Sequence, residues 1–90
     1  MIDTQTKQQI VKASKEIPNT IVTLTFTHME VGAAIRGGVR TAFVDMEIRG
    51  ATVSYKEHKK FLSSTFYNVK IVADAVLMRD IVDYFERIND

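Results

Sequence analysis

Arg36-Gly37-Gly38-Val39-Arg40 is where residue type and spacing in this chain come nearest to a binding chemistry. A guanidinium group grips phosphate through paired hydrogen bonds and stacks on bases. Glycines between two such groups let the backbone come close to a ligand. Arg49 stands at the next glycine turn, and Lys56, Lys59 and Lys60 follow. Brought together in space, Arg36, Arg40, Arg49, Lys56, Lys59 and Lys60 would form a surface for a phosphate backbone, and they are the candidate nucleic-acid-binding set. The plain alternative is a hairpin turn with solubilising charges. One Arg-Gly-Gly unit discriminates weakly between the two, because binding tracts repeat it.

Other constellations carry less. Phe43 falls on the polar face of an expected strand beside Thr41 and Asp45, where an aromatic ring could stack a base or pack under a helix. Asp45 and Glu47 share that face and would repel phosphate, which counts against the sheet as the binding surface. His28, Glu30, Asp45 and Glu47 are suitable metal ligands by type, but no compact spacing such as H-x-x-x-H joins them. His58, near Glu57, Ser63 and Ser64, lacks the oriented third partner that nucleophilic catalysis needs. Gly32 and Gly37 have phosphate-loop spacing, but Gly38-Val39 follows where a lysine and a hydroxyl residue would have to stand. We therefore expect no catalytic residue, no metal and no cofactor.

Elements must position these residues, and composition limits them. The chain has 90 residues, 46% of them apolar, with one proline and no cysteine. That is the size of one domain, 1–90, held by packing alone and free of disulfides or thiolate sites. No apolar run approaches the roughly 20 residues of a membrane helix, and the polar N-terminus is unlike a secretory signal. The expected location is cytoplasmic, the cytoplasm of a host cell included, with no membrane partner. Net charge is +1, but it is unevenly spread. Residues 31–73 carry seven basic against three acidic side chains, and residues 74–90 carry two against five. Such asymmetry can mark an interaction face.

A first helix is expected over about residues 4–16, with Thr6 and Gln9 at capping-box spacing and Pro18 beyond its end. Thr20 to His28 is a strand whose Val22, Leu24 and Phe26 face the core while Ile21, Thr23, Thr25 and Thr27 face away. Residues 29–40 leave strand, loop and helix open, with Met29-Glu30-Val31 able to continue the strand. Thr41 to Arg49 alternates as a second strand, and Arg49-Gly50 turns it into a third over Ala51 to Tyr55. A short helix follows over about 55–64, with strand and helix competing for Tyr55. Tyr67 to Ala73 is a fourth strand. Asp74 caps a last helix, about 75–89, whose Leu77, Ile81, Tyr84, Phe85 and Ile88 form an apolar stripe.

This order predicts an α+β fold in two layers, a three- to four-stranded antiparallel sheet covered by the N- and C-terminal helices. The expected function is that of a small non-enzymatic regulator or inhibitor that binds RNA or DNA through the central basic patch. The alternative is a protein–protein adaptor or inhibitor, of the phage accessory type, acting on a host protein without nucleic acid. A homodimer would form through the threonine-rich face of the first strand.

Overall fold

The computed structural model describes residues 2–31, 38–61 and 64–88, with positions 31 and 59–61 described through their backbone. Six elements follow one another: α1 (Thr4–Glu16), β1 (Ile21–Val31), α2 (Gly38–Ile48), β2 (Thr52–Phe61), β3 (Ser64–Asp74) and α3 (Ala75–Ile88). The α+β class is as expected, with three strands and a third helix.

Helix α1 begins at Asp3, not at a Thr6–Gln9 box. The Asp3 carboxylate accepts from the Gln5 and Thr6 N–H groups at 2.8 and 3.4 Å, and from the Thr6 hydroxyl at 2.7 Å. Two first-turn donors without helical partners are thereby satisfied. The helix ends before Pro18, and the turn closes where Thr20 N–H donates to the Ile17 carbonyl at 3.0 Å. Strand β1 then alternates as its residue types require. Leu24, Phe26 and His28 are buried, whereas Thr23, Thr25, Thr27 and Met29 are exposed.

Residues 41–49 depart from the expected strand. Ala42, Val44, Met46 and Ile48 alternate, but the buried residues of α2 are Val39, Phe43 and Met46, which recur at helical spacing. Phe43 is therefore a core residue, 1% exposed, and not an aromatic on a sheet surface. Glu30 on β1 steadies the start of α2 by accepting from Val39 N–H at 2.8 Å, a carboxylate at a positive helix end. Arg49-Gly50 likewise ends the helix and does not turn a hairpin. Gly50 N–H donates to the Glu47 carbonyl and Ala51 N–H to the Met46 carbonyl, at 3.1 and 3.0 Å, the paired bonds of a glycine-terminated helix. Gly50 has φ 112°, and a Cβ built there meets nothing within 4 Å. The cost of Gly50→Ala is then backbone strain alone. We expect a loss of about 1–2 kcal/mol in urea unfolding; an unchanged midpoint would show that the helix end relaxes.

The expected helix over 55–64 is instead the continuation of β2. Its backbone pairs with β3 from Thr52 opposite Val72 to Phe61 opposite Ser64, with a bulge between Glu57 and Lys59. Strand β3 lies in the middle of the sheet, in the order β1-β3-β2, and is antiparallel to both neighbours. β1 and β2 are thus parallel to each other, joined through α2 with β3 placed between them, an interrupted βαβ unit.

The core lies on one side of this sheet. Leu24 and Phe26 of β1, Tyr67, Val69 and Ile71 of β3, Phe43 of α2, and Met78, Ile81 and Phe85 of α3 belong to one buried cluster. The Asp74 carboxylate caps α3 by accepting from Leu77 N–H at 2.8 Å. Helix α1 contributes Ile10 and packs chiefly on α3, with a Lys7–Glu86 ion pair of 2.7 Å across their outer edge. Among the described residues no helix is long and apolar enough to cross a membrane.

Candidate nucleic-acid interface

With the helices on one side, the other side of the sheet is left open. Side chains alternate across a strand, so the residues paired outside the core rows share this face. Between β1 and β3 those pairs are Thr23 with Val72, Thr25 with Lys70, Thr27 with Asn68 and Met29 with Phe66. Between β2 and β3 they include Thr52 with Val72, Ser54 with Lys70 and Lys56 with Asn68. Thr23, Thr25, Thr27, Thr52, Ser54, Lys56, Asn68 and Lys70 are all exposed, while Phe66 and Val72 are half-buried. Across the three strands runs a shallow depression of about 580 Å³, lined by Thr25, Thr27, Ser54, Lys56, Asn68 and Lys70 among others. The Thr27 hydroxyl donates to Asn68 Oδ1 at 3.3 Å across β1 and β3. At one end of the face the His58 and Phe66 rings lie 6.0 Å apart.

The electrostatics of the two sides differ. Among the described residues the outer rows carry Lys56 and Lys70, and one carboxylate, Asp74, which is at the sheet end and bonded into the α3 cap. The helical side mixes both signs, with Lys7, Lys12 and Lys15 on α1 and acidic side chains on α2 and α3. A groove of about 1060 Å³ between α2 and α3 is lined by Asp45, Asp80, Asp83 and Glu86, together with Arg49 and Arg87. Arg49 there forms an ion pair with Asp80 at 2.9 Å. Lys56 and Lys70 have no ion-pair partner among the described residues, so their charge is available to an anion.

Of the six candidate residues, the described side chains of Lys56 and Arg49 lie on different sides of the molecule. Lys56 lies on the open face, and the backbone of Lys59 pairs with that of Phe66 beyond the bulge. Lys60 pairs with Thr65, in a row of the opposite parity. Arg40 is exposed on the first turn of α2, and Arg49 is committed to the acidic groove. Arg36, with Gly37, lies outside the described residues. Lys70 and Asn68 complete the open face although neither was in the set. Their signal was present in the sequence, because an inward row of Tyr67, Val69, Ile71 and Ala73 leaves residues 68 and 70 pointing outward. Asp45 and Glu47 stand on α2 and not on the sheet, so the repulsion they would exert on phosphate is absent from this face.

The histidines take different roles. His28 is buried, 5% exposed, with its ring 5.4 Å from that of Phe85. Burial lowers its pKa from the ordinary value and the Glu30 carboxylate opposes that shift. A base so enclosed is out of a substrate's reach. Glu30 is tied to α2, and Asp45 and Glu47 lie along that helix. His58 is exposed beside Phe66, while Glu57 pairs in the inward row opposite Tyr67. Ser63 lies outside the described residues, and Ser64 begins β3 opposite Phe61. No family model matches the chain, and no curated protein or solved structure is significantly similar to it.

Proposed function

We propose that this protein is a small regulator that acts by binding RNA or DNA, without catalysis, on the helix-free face of its sheet. The observation that carries the reading is the pair Lys56 and Lys70 flanking Asn68 on a face whose carboxylate, Asp74, is held in a helix cap. Lysines there meet phosphate as point charges, and Asn68, Ser54 and the threonines offer hydrogen bonds to sugar and base edges. The expected setting is the cytoplasm, where such a regulator meets nucleic acid.

Fluorescence anisotropy with a labelled ten-nucleotide RNA or DNA tests this. The double variant Lys56→Gln/Lys70→Gln is expected to bind about tenfold or more weakly at low salt. Its log–log salt slope should fall by about 1.4, two phosphate contacts at about 0.7 each for single strands. Wild-type affinity in the double variant would sink the reading. A protein partner is the second reading, favoured by Val44 and Ile48, which are 55% and 78% exposed along α2. Capture of one protein after nuclease treatment, with no oligonucleotide binding, would support it. Self-association would use Ile21 and Met29, 66% and 49% exposed on β1, and sedimentation at rising concentration reads it directly.

A further inference from the structure

Resting on that reading, we infer that the bound nucleic acid is single-stranded and that one base stacks on the Phe66–His58 end of the open face. Phe66 stands on the middle strand, in the outer row, with the His58 ring inclined at 46° and 6.0 Å away. The buried cluster lies on the opposite side of the sheet, so this ring adds nothing to it. Its neighbour across β1 is Met29, which is itself 49% exposed. Phe66 is itself half-buried, and an incoming base would lie against the accessible part of its ring, beside the exposed His58.

Phe66, Asn68 and Lys70 form one column on β3. At about 3.3 Å per residue, the first and last stand roughly 13 Å apart. A strand laid along this column puts a base on Phe66, a base edge or sugar beside Asn68, and phosphate near Lys70 and Lys56. A duplex cannot use the same column. Its bases are stacked inside, so a flat face meets only its phosphates. Among the described residues Lys56 and Lys70 would then be its hold, and the aromatic end would have no partner. Splayed single-stranded bases are what aromatic side chains on sheets recognise, and each stacked base contributes a roughly constant increment whatever its sequence.

The test uses a ten-nucleotide strand with one 2-aminopurine, free and annealed to its complement, against wild type, Phe66→Leu, His58→Ala and the double lysine variant. Wild type should bind the single strand and quench the probe, and should bind the duplex at least tenfold more weakly. Phe66→Leu, with its circular dichroism unchanged, should lose about tenfold in affinity and most of the quenching while keeping the salt slope. His58→Ala, an exposed position, should lose less of both, and it carries the test if Phe66→Leu is poorly folded. If both aromatic variants bind and quench like wild type, or the duplex binds equally well, stacking is overturned while the lysine-dependent reading stands. If wild type binds neither strand nor duplex at low salt, both fall together.

Discussion

Phe85→Ala is expected to lower the free energy of unfolding by about 3–5 kcal/mol, the cost of removing a fully buried ring. Phe85 is 1% exposed, and its ring centroid lies 4.7 Å from Phe26, 5.4 Å from His28, 5.2 Å from Tyr84 and 6.3 Å from Phe43. It therefore joins α3 to both β1 and α2, and a cavity there would loosen three elements at once. Domains of this size are stable by about 0.05–0.15 kcal/mol per residue, so the loss is from about a quarter of the total to nearly all of it. Urea unfolding followed by circular dichroism should show the midpoint falling steeply, or a chain already unfolded without denaturant. A shift below about 1 kcal/mol would mean that the helices do not depend on this ring to close over the sheet. Phe66→Leu supplies the contrast. Phe66 is the same residue type, half-buried on the open face, and Phe66→Leu should move the midpoint far less than Phe85→Ala. The two variants together measure how one-sided the core is.

That one-sidedness was partly legible in the sequence. Val22, Leu24 and Phe26 alternate with threonines, and the structure buries Leu24 and Phe26, packs half-buried Val22 against them, and exposes Thr23, Thr25 and Thr27. The stripe of α3 was equally plain, with Leu77, Ile81 and Phe85 buried along one side of the helix. Residues 41–49 misled because two periods coexist in them. Ala42, Val44, Met46 and Ile48 repeat every second residue, while Phe43 and Met46 repeat with Val39 at helical spacing. The residue that decides between the periods, Val39, sits in the glycine-flanked stretch whose conformation the sequence leaves open. Another error was the helix over 55–64, suggested by Ser54 and Glu57 at capping-box spacing, where Lys56-Glu57-His58-Lys59-Lys60 belong to β2. In β2 they lie on an edge strand with a bulge, a composition that keeps an edge from pairing with other chains.

The candidate site divides in the same way. That lysines of the central segment matter was readable from residue type alone. Which of them share a surface depends on the β2–β3 register, and short-range spacing does not encode it. Lys56 and Lys70 are 14 residues apart in sequence, yet both line the one depression on the open face. Arg49 is seven residues from Lys56 and yet is bonded to Asp80 on the helical side. Carboxylates of α2 and α3 line the groove on the helical side, and uncommitted lysines stand on the other.

Acid should destabilise the fold through His28. Burial beside Phe85 holds its folded pKa below the ordinary value, with Glu30 opposing the shift. The unfolded histidine titrates near 6.5. Above that pH neither state is protonated, and the contribution of neutral His28 is fully present. As pH falls below it, the unfolded chain takes up a proton that the folded chain refuses, and stability drops until the folded pKa is reached. One proton sets a limit of about 1.4 kcal/mol lost per pH unit. Asp3, whose pKa is lowered by the Thr6 hydroxyl and the Gln5 N–H, acts in a separate and more acidic window. Its stabilisation is present above the ordinary carboxylate range and is lost as pH falls through the lowered value. Urea midpoints measured from pH 7.5 down to 5 should therefore decline in wild type. In His28→Leu, which leaves an apolar residue among Phe26, Phe85 and Tyr67, the decline over that interval should vanish, with stability at pH 7.5 within about 1 kcal/mol of wild type. An equal decline in both proteins would show that His28 is protonated as readily in the fold as outside it, and that the inner row of β1 is open to water at that position.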